Sequence, residues 1–258
     1  MKAYEFIEAS QQDGVALIEL NRPAQYNALN RTMVREIVDA LEAFDRDEEV
    51  RAIVVTGKGL AFSAGADIDE MAGDHPVRLE LLNQFADWDR LTLIKKPIIG
   101  AVKGFVLGGG FELALSCDLL IAASGTEFSF PEVTLGVMPG AGGTQRLTKI
   151  VGRTKALEWL WNGTRITTES ALQHGLINRV VSPELLMEEA MKTAKQIARQ
   201  APLSIRLIKD SVNKAVDYPL YEGMQYERKN FYLLFASEDQ KEGMNAFIEK
   251  RKPEFKGR

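Results

Sequence analysis

Gly104-Phe105-Val106-Leu107-Gly108-Gly109-Gly110-Phe111-Glu112-Leu113 follows directly on an apolar, β-rich run, Ile98–Val102. Three consecutive glycines then open an apolar helical run that carries a single acid, Glu112. A strand, a glycine turn and a helix in so few residues is α/β grammar with short connections. Further β-rich runs lie at 14–20, 52–56 and 118–122. Between the first two, Asn30 is placed to cap a helix whose apolar residues Met33, Ile37, Leu41 and Phe44 form one stripe at helical spacing.

The last third of the chain changes to helix after helix. Ser182-Pro183-Glu184 has the cap, proline and acid of a helix start. Ile205, Ile208, Val212 and Ala215 mark a second helix, and Leu220, Met224, Phe231 and Phe235 a third. Ser237-Glu238-Asp239-Gln240 reads as a capping box for a fourth, which Lys250-Arg251-Lys252 and Pro253 bring to an end. The sequence therefore predicts an α/β core over residues 1–195 and a helical region over 196–258, packed on that core or on a neighbouring subunit.

Composition removes several chemistries. The 258 residues carry 32 Lys plus Arg against 36 Asp plus Glu, a net charge of -4 that argues against a generally cationic nucleic-acid binder. One cysteine, Cys117, allows neither an intrachain disulfide nor a thiolate zinc cage, and two histidines do not make a multi-histidine metal site. No metal is expected. The most apolar stretch, 97–123, is broken by Lys103, Glu112, Asp118 and glycines, well short of the roughly 20 apolar residues of a membrane helix. The opening Met1-Lys2-Ala3-Tyr4-Glu5-Phe6 places an acid where a signal peptide would be apolar, so the expected location is the cytoplasm.

Familiar nucleotide and hydrolase motifs fail. Gly57-Lys58-Gly59 follows a strand, but the third glycine of a dinucleotide fingerprint is replaced by Phe62, and the first acid downstream, Asp67, falls far short of the roughly 20 residues to a ribose-binding carboxylate. No Gly-Lys-Ser/Thr ends a glycine loop, and no Gly-x-Ser-x-Gly occurs. His174, beside Gly175, reads as a capping or surface residue after a helix.

Two small-residue stretches remain, Ala61-Phe62-Ser63-Ala64-Gly65-Ala66-Asp67-Ile68 and the 104–113 segment. Both let a ligand or another backbone come close to the main chain, and a helix start offers free N–H groups to a developing oxyanion. Composition alone favours a tight turn with helix packing for each. Glu112 and Glu132 are the two acids in apolar surroundings, where a carboxyl titrates closer to neutrality. An ion pair or a solvated edge is the alternative, and their spacing does not establish that the two side chains meet.

These residues in this order resemble the enoyl-CoA hydratase/isomerase (crotonase) family over nearly the whole chain. The likeness runs through Asn21-Arg22-Pro23, Asn27-Ala28-Leu29, the 62–68 stretch, Lys96-Pro97, the 107–113 stretch, Phe130-Pro131-Glu132, Pro139 through Leu147, and Glu242 through Phe247. The resemblance implies a spiral of ββα units followed by C-terminal helices that assemble a homotrimer or a dimer of trimers. It also implies hydration of a trans-2-enoyl-CoA in fatty acid β-oxidation or related catabolism, with coenzyme A as part of the substrate and no separate cofactor. On that reading the backbone N–H groups of Ala66 and Gly109 form an oxyanion hole. Glu112 orients and deprotonates the water, and Glu132 protonates the α-carbon. Tyr26, Ala64, Ala66, Asp67, Ile68 and Gly109 line the coenzyme A groove, which Phe231 and Lys250 reach from a neighbour. Alternatives on the same scaffold are a double-bond isomerase or a dehydratase of short or branched hydroxyacyl-CoAs. A non-catalytic or RNA-binding relative is the alternative of another class.

Overall fold

The four β-rich runs become neighbours in one sheet. The computed structural model describes residues 3–258; Met1 and Lys2, which head the predicted 1–195 core, lie outside the described residues. The strands are β1 (Ile7–Gln12), β2 (Val15–Leu20), β3 (Ala52–Gly57), β4 (Ile98–Val102), β5 (Phe105–Leu107), β6 (Leu119–Ala123), β7 (Glu127–Ser129) and β8 (Arg179–Val181). Six of them form a sheet in the order β1-β2-β3-β4-β6-β8, and β5 pairs with β7 in a smaller one. Only β1 and β2 are antiparallel; every other pairing in the two sheets is parallel.

β3 and β4 are buried at every position, as expected of parallel strands covered on both faces. Alternation along the strands divides the core in two. Ile18, Ile53, Val55 and Leu120 pack against Met33, Ile37 and Leu41 of helix α1 (Arg31–Arg46). Val15, Val54, Ile99 and Ile121 face the opposite way, onto a later helix. Asn30 caps α1 as predicted: its Oδ1 accepts from the Met33 N–H at 2.7 Å.

The ββα spiral follows from a second layer. After β2, β3, β4 and β6 the chain adds a short strand or a single bridge to this layer, then turns into a helix. Leu29 bridges Ala66, Ser63 bridges Val106, and β5 pairs with β7. The helices that follow are α2 (Ile68–Met71), α3 (Pro76–Leu82), α4 (Ala86–Leu91), α5 (Gly109–Leu115), α6 (Gly143–Val151), α7 (Arg153–Asn162) and α8 (Thr168–Gln173). The chain ends in α9 (Leu186–Ala198), α10 (Pro202–Ala215), α11 (Leu220–Leu234) and α12 (Glu238–Glu249).

Helix α9 runs across position 195, and its Leu186, Ala190, Ala194 and Ala198 fill the second half of the core. It starts later than the sequence predicts, because Pro183–Leu185 forms a 3-10 turn and Ser182 makes no side-chain cap. Ser237 does cap α12, accepting from the Gln240 N–H at 3.1 Å, but the Gln240 side chain turns to Met244 instead of completing a box.

The last helices attach at the N-terminal ends of the parallel strands. Lys209 of α10 donates to the Lys96 carbonyl at 2.9 Å and to Asp118 Oδ2 at 2.7 Å, just ahead of β4 and β6. Arg51, just ahead of β3, donates to the Phe255 carbonyl at 2.9 Å. Among the described residues no helix is long and apolar enough to cross a membrane.

Candidate active site

The site forms at the other end of those strands, where successive turns of the spiral come into contact. Backbone bonds stitch the 61–67 stretch to its neighbours on both sides. Leu29 N–H donates to the Gly65 carbonyl at 2.7 Å, Asp67 N–H to the Leu29 carbonyl at 3.0 Å, and Leu107 N–H to the Ser63 carbonyl at 3.0 Å. The approach is close enough to demand small residues. A Cβ on Gly65 would stand 3.0 Å from the Leu107 carbonyl oxygen, and one on Gly110 2.6 Å from the Ser63 side chain. Gly65, at φ +105, and Gly108, at φ +48, also need conformations that side chains disfavour.

This contact brings the N–H groups of Ala66 and Gly109 together. A Cβ on Gly109 would lie 3.6 Å from the Ala66 nitrogen. Gly109 is the first residue of α5, and its N–H has no acceptor among the described residues; nor has that of Ala66. In a trans peptide N–H and C=O point in opposite directions. The Leu29 bond to the Gly65 carbonyl therefore turns the Ala66 N–H away from Leu29.

Both acids stand beside this pair. Glu112 lies one turn into α5 and is 4% exposed. Its Oε1 accepts from the Ala141 N–H at 2.7 Å and the Gly143 N–H at 2.8 Å. Burial pushes its pKa up, against the pull of the Gly143 and Ala141 N–H groups and the nearby Arg146 charge. Glu132 sits in a 3-10 turn, Pro131–Leu135, and its Oε1 overlies Gly108. Its Oε2 is buried without a hydrogen-bond partner. Burial raises its pKa to about 7, helped by the neighbouring Glu112 charge and opposed by its own backbone N–H. Backbone donors favour the charged form of Glu112, whereas Glu132 has no donor at Oε2. The two carboxyls are near enough for the Glu112 charge to act on Glu132, a proximity that sequence spacing left open.

Aromatic packing holds this arrangement. Phe111, beside Glu112, stacks on Phe130 at 4.6 Å between ring centroids and meets Phe128 at 5.3 Å. Phe130 precedes the Glu132 turn, and a Cβ on Gly143 would press to 2.8 Å from its ring. One cluster therefore fixes both acids and the glycine that binds one of them.

The remaining predicted residues divide. Tyr26, Ala64, Asp67 and Ile68 surround the Ala66 turn: Tyr26 accepts from the Ala64 N–H at 2.9 Å through its carbonyl, and Ile68 is half-exposed. The Asp67 carboxylate pairs with Arg22 at 2.9 Å. Phe231 and Lys250 are not brought to the site within this chain. Phe231 packs on Phe235 and Tyr232, and Lys250 closes α12 in the left-handed conformation, both in the region anchored at the far end of the sheet. Sequence reasoning assigned no role to Arg22, Ala141 or Gly143. The signal for the last two was available: a buried carboxylate needs donors, and the glycine-rich 140–143 run supplies free N–H groups.

Comparison with known proteins agrees with the geometry. The model of a family described as enoyl-CoA hydratase/isomerase matches residues 10–258. A "Probable enoyl-CoA hydratase" of Rhizobium meliloti (strain 1021) is 47% identical over 256 residues, covering 99% of this chain and 100% of that protein. "Enoyl-CoA hydratase, mitochondrial" of Pongo abelii is 44% identical over 256 residues, covering 98% of this chain and 88% of that protein. The crystal structure of "Enoyl-CoA Hydrates Subunit I" from Geobacillus kaustophilus HTA426 matches with a TM-score of 0.97 and 68% identity, covering 99% of each chain.

Proposed function

The chain belongs to the enoyl-CoA hydratase/isomerase family, and we infer that it acts as an enoyl-CoA hydratase, adding water across the double bond of a trans-2-enoyl-CoA to give a 3-hydroxyacyl-CoA. One observation carries the assignment of roles: a buried carboxyl held by backbone donors and a half-buried one with an enclosed, unpartnered oxygen stand beside two N–H groups that have no acceptor among the described residues.

The thioester oxygen sits between the N–H groups of Ala66 and Gly109. Attack at the β-carbon moves charge onto that oxygen as an enolate, and the two donors stabilise it; losing one such donor costs about 2.7–4 kcal/mol. Glu112, ionised, holds the water and takes its proton as the oxygen bonds to the β-carbon. Glu132, protonated, delivers a proton to the α-carbon as the enolate collapses. A proton passing from Glu112 to Glu132 restores the resting pair. The raised pKa of Glu132 suits a proton donor working near neutrality.

Coenzyme A lies along Tyr26, Ala64, Asp67 and Ile68, and a neighbouring copy contributes Phe231 and Lys250 to its groove. Supporting this, α10 and α11 bury no residue within the chain, while Val212, Leu220, Phe231, Tyr232 and Leu233 are each more than half exposed. A homotrimer or a dimer of trimers covers that face, with residues 196–258 as the assembly region; a cytoplasmic location belongs to the same proposal. The test is loss of enoyl thioester absorbance with crotonyl-CoA and longer trans-2-enoyl-CoAs. Turnover with water addition at the β-carbon is expected, and its absence across chain lengths would overturn the reading.

A further inference from the structure

We propose that Arg22 is a positioning residue for the oxyanion hole, its guanidinium clamping the two strands that aim the Ala66 N–H. The proposal rests on the oxyanion reading above and extends it to a side chain that never meets the substrate's reacting atoms.

The geometry is specific. Nη1 of Arg22 donates to the Ala28 carbonyl at 2.6 Å and to Asp67 Oδ2 at 2.9 Å. Ala28 immediately precedes Leu29, and Asp67 immediately follows Ala66, and Leu29 and Ala66 are partners in a one-residue bridge. A single nitrogen therefore ties together the two segments that form the bridge, through residues adjoining both of its partners. Beside it, the two Leu29 backbone bonds hold the bridge itself.

Arg22 is itself fixed. Its N–H donates to Asn27 Oδ1 at 2.9 Å, and Asn27, fully buried at φ +56, spends its Nδ2 on the Lys58 and Ala61 carbonyls. Ser63 Oγ donates to the Asn27 carbonyl at 2.8 Å, which ties the same loop to the base of the 63–67 stretch. The side chains of Arg22 and Asp67 are 15% and 20% exposed, so their pairing is sheltered from bulk solvent. A charge-assisted hydrogen bond in such a place is stronger and better directed than a surface ion pair.

An oxyanion donor acts through its direction as much as its presence, and displacement by about 1 Å can cost about a hundredfold in rate. Removing the clamp should thus alter the carbonyl polarisation of bound substrate. The probe is the coenzyme A thioester of 4-dimethylaminocinnamic acid, whose long-wavelength band moves to the red when N–H donors polarise its carbonyl. The unsubstituted protein should shift the band. Arg22→Met, checked for folding by circular dichroism, should lose at least half of that shift. Its kcat for crotonyl-CoA should fall about tenfold or more while KM changes little.

Arg22→Lys and Asp67→Asn read the same quantity if Arg22→Met does not fold. Each keeps a polar group in place but loses part of the two-way contact, and each should show a smaller shift than the parent. A full shift in every folded variant would overturn the positioning role, leaving the two-glutamate reading intact. No shift with the unsubstituted protein would overturn the oxyanion reading, and this inference with it.

Discussion

Oε1 of Glu132 lies 3.0 Å from the place a Cβ on Gly108 would take, so the carboxyl rests on the bare backbone of the glycine turn. Gly108 also stands at φ +48 and ψ -125, a conformation left to glycine, and its N–H is tied to the Ser129 carbonyl at 2.9 Å. The turn that presents Gly109 and the acid above it are thus one unit. Gly108→Ala should lower stability by about 1–3 kcal/mol through backbone strain. It should also displace Glu132 and cut kcat by about tenfold to a hundredfold. Thermal unfolding and steady-state kinetics on the same sample check this, and an unchanged kcat would show that Glu132 can move without cost.

The two acids differ in how their protons are held, so each amide replacement removes a separate step. Glu112→Gln and Glu132→Gln should each reduce kcat by about a hundredfold to ten-thousandfold. Binding of a saturated acyl-CoA, followed by calorimetry, should hardly change, because neither carboxyl is asked for ground-state contact. Near-normal turnover in either variant would remove its assigned role.

The elevated pKa of Glu132, about 7, makes two pH signatures. As a proton donor it must be protonated, so kcat/KM should fall as pH rises through about 7, and Glu132→Gln should lose that limb. Stability follows the same group. The folded state holds this proton more tightly than the unfolded chain, whose carboxyl titrates near the ordinary glutamate value of 4.5. Its contribution is therefore complete below that value and is lost as pH rises through about 7. The Tm of Glu132→Gln relative to the parent should accordingly increase between pH 5 and pH 8; a constant difference would contradict the buried, raised carboxyl.

Gly109 separates the donor from the space around it. A Cβ there would make only ordinary contacts, 3.6 Å to the Ala66 nitrogen and 3.8 Å to Leu29 Cδ1. Proline is also well tolerated at a first helical position. Gly109→Ala and Gly109→Pro should both fold, as circular dichroism would record. Only the proline deletes the N–H, and it should abolish measurable hydration, while alanine retains more of it. A folded, active Gly109→Pro protein would exclude this N–H from the chemistry.

Lys250 tests assembly. If it reaches a neighbour's coenzyme A phosphates, Lys250→Ala should raise KM about two- to fivefold, the worth of one exposed charge contact, and leave kcat nearly unchanged. Light scattering should report a trimer or a hexamer. A fully active monomer would sink the shared groove while leaving the two glutamates untouched.

Much of this was legible in the residues. The run 98–102 is a strand with the predicted bounds, and Asn30 caps α1, because a buried parallel strand and a capped amphipathic helix each write their signal locally. The short elements left no such mark. β5 and β7 have three residues each, too few for any period, and the Leu29 bridge to Ala66 joins segments 37 positions apart. In the 68–91 stretch α2, α3 and α4 form with just one buried residue, Leu91, among them, too little apolar periodicity to mark them. At the site, Glu112 and Glu132 stood out by their apolar neighbours. Arg22 looked like an ordinary loop cation because its acceptors, Ala28 O and Asp67, belong to different turns of the spiral.

The acids and N–H donors lie beyond the C-terminal ends of the parallel strands, in α5 and in the turns after β3 and β7, and the anchors of α10 and Phe255 lie at the N-terminal ends. A strand of five residues is about 17 Å long, farther than side-chain coupling ordinarily reaches. Damage at the Lys209–Asp118 anchor and damage at Glu112 should thus combine additively in free energy. Changes at the anchored end of the strands and changes at the acids can then accumulate independently of one another.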